Sequence, residues 1–296
     1  MIVDCHTHIW ETPQQLGKGS AEYLRRQTGN ANMLAQLQDH FLACDCVDKT
    51  FVLGFISGFL GAAIPNRLIV DHVQSHPEKL IGFAGLDPLA GGVMEHLAEI
   101  AAQPEFRGIT LSPAAQDFHP AHSDLQRVYA FCQDKGLLIL VLQGAHFWQG
   151  AKMEFARPHL WDEVLRDFPN LRMIIAHLGH PWAEETLCLL GKHPNLYADI
   201  AGLIRRPWHA YNSLVQAHQY AVTDKLLFGS DFPFLTASEA IECLYRLNEV
   251  SHGTMLPAVP SQVLRNIVER DTLAVLGIER PGDRVPCEEV PEPDEE

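Results

Sequence analysis

The sequence predicts an α/β protein, a (β/α)8 TIM barrel in one domain. Three observations predict it. Eight short apolar runs recur along the chain, and each is followed by a stretch with helical spacing. Several runs, Leu137 to Leu142 above all (LLILVL), are apolar without alternation, as strands covered on both faces are. No glycine-rich phosphate fingerprint follows the first run, which disfavours the open doubly wound sheet.

Strand one is Met1-Ile2-Val3 running into Asp4-Cys5-His6-Thr7-His8. Ile9 to Asn30 follows, rich in Gln, Gly, Thr and Pro, and reads as a long connection carrying Trp10, Arg25 and Arg26. Residues 31–44 space Met33, Leu34, Leu37, Phe41 and Leu42 along one helical side. Lys49–Ile56 is strand two, Pro65–Ser75 a helix opened by proline, Leu80–Leu86 strand three and Val93–Ala102 a helix. Arg107–Leu111 is strand four, and Ser123–Lys135 is a helix closed by Gly136. Leu137–Leu142 is strand five, Pro158–Phe168 a helix, and Leu171–Ala176 strand six. Trp182–Leu190 is helical, Asn195–Ile200 is strand seven, Trp208–Tyr220 is helical and Lys225–Phe228 is strand eight. Ser238–Val250 and Pro260–Leu276 close the chain as helices. No linker interrupts residues 1–278, so they form one barrel domain. Residues 279–296 turn to Pro, Glu and Asp, have too little apolar surface to bury, and are expected to be a disordered acidic tail.

The chain has 296 residues, 47% of them hydrophobic, enough for one large core. Its net charge of −15 argues against nucleic acid or an anionic membrane as partner. The seven cysteines are scattered and contain no C-x-x-C, so neither a disulfide framework nor a zinc ribbon is expected. A reducing, cytoplasmic setting fits them. Asp4 and His6 interrupt any leader-like run, and no apolar stretch is long enough to span a bilayer.

In a barrel the active residues stand at the C-terminal ends of the strands. Strand one ends in His6 and His8, two residues apart and so on one side. Strand six ends in His177, with His180 beyond it, and strand eight in Asp231. Three histidines and a carboxylate at one mouth are a nitrogen–oxygen donor set for a divalent metal, and a carboxylate there is also a general base. Cys5, between the two histidines, points away into packing. A serine hydrolase is not expected, because no Gly-x-Ser-x-Gly elbow occurs.

These motifs resemble the amidohydrolase superfamily. The resemblance is carried by Asp-Cys-His-Thr-His at 4–8, Ala-His-Leu-Gly at 176–179 and Phe-Gly-Ser-Asp-Phe-Pro at 228–233. Gly-Ile-Thr-Leu-Ser-Pro with Gln116-Asp117-Phe118, and Asn-Leu-Tyr-Ala-Asp-Ile-Ala-Gly at 195–202, are similar to the amidohydrolase-related branch. That branch includes aminocarboxymuconate-semialdehyde and resorcylate decarboxylases. The resemblance implies hydrolysis or non-oxidative decarboxylation of a small carboxylated, ring-derived metabolite. It implies one divalent metal, zinc first and manganese or iron as alternatives, with His6, His8, Asp231 and His177 as ligands. It makes Asp231 and His177 the catalytic residues: Asp231 moves protons, and His177 orients water or substrate, or stabilises an oxyanion. Relatives often dimerise, which allows a homodimer.

One position departs from the pattern. Relatives carry a metal-ligating histidine at the end of strand five, where Leu142 stands here. Leucine cannot ligate, which leaves either a three-ligand site with an open position or a weak or empty one. Gln143 and His146 are the nearby polar groups, and His146 is also a candidate for contacting substrate. Strand four carries Thr110 and no lysine, which disfavours a binuclear site. A second reading follows, a metal-independent lactonase of the 2-pyrone-4,6-dicarboxylate lactonase type. Arg205 and Arg206 after strand seven would hold its substrate carboxylates. Trp148, Trp182 and Phe232 would wall in a ring. A third reading is a catalytically silent barrel that binds a metabolite.

Overall fold

A computed structural model of the chain describes residues 1–143 and 150–278. His146, Trp148 and the acidic tail from 279 onward lie outside the described residues. Eight parallel strands follow one another around a barrel in sequence order. They are β1 (Val3–His8), β2 (Lys49–Leu53), β3 (Leu80–Gly85), β4 (Phe106–Leu111), β5 (Leu138–Val141), β6 (Met173–Ile175), β7 (Leu196–Asp199) and β8 (Leu226–Leu227). The last strand returns to the first. The Cys5 N–H donates to Phe228 O, Asp231 N–H to His6 O and His8 N–H to Phe232 O, each at 2.9 Å. The predicted fold class therefore holds.

The reason is burial on both faces. Phe51, Phe83, Ile109, Ile139, Leu140 and Ile174 are fully enclosed, and Phe51 and Phe83 meet at 4.8 Å between ring centres. The strands are shorter than the apolar runs by one to three residues at some ends. At the C-terminal ends the chain leaves the ladder and carries Phe55, His177 and Asp231 to the mouth.

Three expectations for the helices are corrected. The stretch from Ile9 to Asn30 is not a bare connection, because it holds a helix at Ser20–Thr28. That helix is mostly polar, and Leu24 is its one fully buried large side chain, so its apolar spacing is faint. The helix predicted over 31–44 is confined to Leu37–Ala43. The closing helix from Pro260 is broken into Ser261–Glu269 and Thr272–Leu276. No described helix is long and apolar enough to cross a membrane.

Candidate active site

His6 and His8 leave β1 together, as alternation requires. Their Nε2 atoms face each other at 3.1 Å, and Asp231 Oδ1 stands 3.9 Å from His6 Nε2. The other ring nitrogens decide the tautomers. His6 Nδ1 lies 2.9 Å from Asp199 Oδ2, and His8 Nδ1 lies 3.3 Å from Leu53 O. Both partners are acceptors, so each Nδ1 carries the hydrogen and each Nε2 presents a lone pair. Two lone pairs 3.1 Å apart repel unless a cation or proton lies between them. With a carboxylate beside them, His6, His8 and Asp231 fit a divalent metal by donor chemistry as well as by proximity.

Asp199 is the functional residue that the strand-end reading passed over. It closes β7 just as His8 closes β1. One oxygen takes the His6 Nδ1 hydrogen, and the other accepts the backbone N–H groups of His177 at 2.8 Å and Ala201 at 3.1 Å. Such a carboxylate behind a ligating histidine fixes its ring and raises its basicity. His6, His177 and Asp199 also lie close enough to be read as a second metal cluster. We assign that cluster to hydrogen bonding, because both oxygens of Asp199 are already engaged. The signal for Asp199 was its place at a strand end, inside the stretch 195–202 that resembles the amidohydrolase-related branch.

His177 sits in the left-handed region at φ 56°, which turns its ring back over the mouth, 4.6 Å from the His6 ring. Its Nδ1 donates to Ala201 O at 2.7 Å, so neutral His177 offers an acceptor at Nε2. That suits the orienting of water. Stabilising an oxyanion would require the imidazolium. Asp231 is also left-handed, at φ 66°, anchored by its own N–H to His6 O. Gly202 makes room for both: a Cβ there would stand 2.7 Å from Asp231 Oδ2 and 3.1 Å from His177 Nδ1. Burial pushes the Asp231 carboxyl up to about 8, while Arg205 and Arg206 pull the other way. Burial holds His6 well below its ordinary range and His8 down to about 3, so both stay neutral and able to ligate.

Above these groups lies a cavity of about 130 Å³. Trp10, Leu16, Phe55, Ile64, Leu142 and Phe234 form its apolar lining, and His180, Arg205, Arg206, Tyr23 and Gln27 its polar one. Leu142 thus faces the mouth, at the strand-five end where the resemblance implies a ligand. Gln143 is no substitute, since its amide bonds Trp161 Nε1 and Phe155 O. Trp182 is not brought to this cavity. Its ring lies under Arg157, at 5.5 Å, in a neighbouring groove that shares His180. Arg25 and Arg26 are exposed and paired with Glu22. Cys5 is fully buried, with its thiol toward Val3 O and Thr272.

Comparison with known proteins supplies the rest. A probable 2-pyrone-4,6-dicarboxylic acid hydrolase from Acinetobacter baumannii, solved with citric acid bound, is 17% identical. The alignment covers 93% of this chain and 99% of that one, with a TM-score of 0.66. An amidohydrolase from Burkholderia multivorans with bound zinc is 15% identical over 94% of this chain and all of its own, at a TM-score of 0.68. The 2,6-dihydroxybenzoate decarboxylase from Rhizobium is 14% identical over 94% and 98% of the two chains, at 0.63. At these identities the likeness shows the fold. No curated protein matches the chain in sequence. The Amidohydrolase family model, however, matches residues 3–270, from the first strand to the last helices. The chain therefore belongs to the amidohydrolase family, and it is an enzyme.

Proposed function

We propose that this enzyme acts on a small ring-derived carboxylate, by hydrolysis or by loss of carbon dioxide, with one divalent metal held by His6, His8 and Asp231. The observation that carries the reading is the facing pair of lone-pair nitrogens with a carboxylate beside them, beneath a cavity that carries two arginines. Zinc suits two imidazoles and a carboxylate, and the zinc-bound relative supports that choice. A cavity of about 130 Å³ is of the size that encloses a single six-membered ring.

The bound metal would supply Lewis acidity toward a substrate oxygen. The chain's own groups do the remaining work. Arg205 and Arg206 receive a carboxylate at the rim, and Phe55, Leu142 and Phe234 exclude water from the ring. Asp231 takes the proton from water in the hydrolytic version and delivers one to carbon in the decarboxylating version. His177, acceptor at Nε2, orients the water. His180 lines the same cavity and stands ready for substrate contact. The six described cysteines are free, which supports a cytoplasmic setting.

Replacing Asp231 by Asn keeps the shape but removes the proton acceptor. Turnover on a panel of ring carboxylates should fall at least about a hundredfold, the usual scale of a lost acid–base group. Full activity in this variant would sink the assignment. The lactonase reading is favoured by one observation, Leu142 at the mouth. Dialysis against a strong chelator separates the two, because turnover that survives complete metal removal supports the lactonase and overturns the metal enzyme. Trapping of released carbon dioxide then distinguishes decarboxylation from ring opening.

A further inference from the structure

The helix Ser20–Thr28, which the sequence hid in a connection, reaches the cavity through Tyr23 and Gln27. Gln27 meets both arginines at once. Its backbone carbonyl accepts from Arg205 Nη2 at 3.1 Å, and its side-chain Oε1 accepts from Arg206 Nη2 at 3.4 Å. Because a guanidinium has no acceptor, the orientation of the Gln27 amide is fixed: oxygen toward Arg206, and the NH2 left over.

The arginines themselves are half-buried and cationic, yet neither forms an ion pair among the described residues. Arg205 uses one of its N–H groups on Gln27 O, and its guanidinium rests 4.8 Å from the centre of the Phe234 ring. Arg206 uses two, on Gly202 O and Gln27 Oε1. Toward the cavity the three residues therefore offer donors and no acceptor. Two half-buried cations with no carboxylate in ion-pair reach, in a chain of net charge −15, leave the counter-charge to a ligand.

We propose that Gln27 is a specificity-determining residue. With Arg205 and Arg206 it forms a receptor for a substrate carboxylate distinct from the group that reacts at Asp231 and His177. The receptor holds the Arg206 fork in place through Oε1 and adds its own NH2 as a neutral donor. The substrate is then a ring carrying an ionised carboxylate on one side and the reactive group on the other. An uncharged isostere of that carboxylate leaves the two cations unsatisfied and is rejected. This rests on the proposed carboxylate chemistry, so the test reads binding rather than turnover.

Benzoate, isophthalate and neutral benzamide serve as probes, titrated by calorimetry into the metal-loaded full chain. The wild type should bind the two carboxylates about tenfold or more tightly than benzamide, as expected of charge-assisted pairing. Gln27→Glu places a carboxylate against Arg206 and should weaken both acids about tenfold while leaving benzamide unchanged. Gln27→Leu removes donor and acceptor without adding charge and should weaken the acids by a smaller factor. Circular dichroism and melting midpoints confirm that both variants fold. If the wild type prefers the acids but both variants bind them within about twofold of it, Gln27 has no such role and only this inference fails. If the wild type does not discriminate acid from amide, the carboxylate reading of the enzyme fails with it.

Discussion

At the residue scale, two residues behind the mouth set its shape: Asp199 holds the His6 ring, and Gly202 leaves the space that Asp231 and His177 occupy. His6, His8, His177 and Asp231 were legible because each stands at or just past the C-terminal end of a strand that reads as an apolar run, and the barrel brings strand ends together. Asp199 closes a strand too, but its work is to hold His6 and the turn of His177, a role that only the folded geometry displays. Asp199→Asn should keep an acceptor oxygen yet lose the charge that fixes the His6 tautomer. Metal affinity or turnover should drop about 10- to 100-fold, as for other carboxylates behind a ligating histidine. Metal titration of the stripped variant reads this directly, and an unchanged affinity would remove Asp199 from the site. Gly202 is equally silent in sequence. Its φ of 61°, and the 2.7 Å that would separate a Cβ from Asp231 Oδ2, leave no room for alanine.

At the scale of elements, a chain of hydrogen bonds stands behind β1. His72 Nε2 lies 3.0 Å from His40 Nδ1, His40 Nε2 lies 2.7 Å from Thr7 Oγ1, and Thr7 Oγ1 donates to Phe51 O. Because Thr7 gives its hydrogen to Phe51, His40 must donate to Thr7 and accept from His72. The chain ties the helices Leu37–Ala43 and Asn66–Ser75 to the strand that carries His6 and His8. His40 also packs on Phe232, the neighbour of Asp231, at 5.2 Å. Sequence periodicity placed these helices but could not see a polar seam between them, because both histidines occupy inward positions that apolar residues usually take. Burial lowers His40 to about 3 and His72 to about 4, whereas both titrate near 6.5 when unfolded. The unfolded chain therefore binds protons that the native one refuses as the pH falls below about 6.5. Stability from this pair is complete above about 6.5 and is lost as the pH drops toward 4, at about 1.4 kcal/mol per pH unit for one proton. Buried Asp4 and Asp199, raised to about 7 and about 6, act in the opposite direction. The double variant His40→Leu/His72→Leu isolates the histidines, and between about pH 7 and pH 5 the urea midpoint of the wild type should fall relative to that of the variant. Parallel profiles for the two proteins would refute the assignment.

On the scale of the whole molecule, the barrel separates chemistry from stability by its two ends. The catalytic mouth collects the strand C-termini, and the opposite end is closed by packing and caps. Arg172, just before β6, is the clearest device there. Its guanidinium donates to Leu276 O and Gly277 O at the end of the helix Thr272–Leu276, and to Gly136 O after the helix Gln126–Lys135. Both helices end in a left-handed glycine whose N–H satisfies carbonyls of the last turn, while the carbonyls at the very end lack intrahelical partners and carry the negative end of the helix dipole. One cation thus satisfies two helix ends and pins the last described element to the barrel. Arg172→Ala leaves those carbonyls without their charged donor and should cost about 1.5–3 kcal/mol. The melting midpoint should drop, while the kcat of the folded enzyme stays at the wild-type value because the change lies at the far end from His6 and Asp231. A variant as stable as the wild type would show that water replaces the guanidinium at little cost. A fall in kcat at temperatures where the variant is fully folded would instead mean that the two ends of this barrel are coupled.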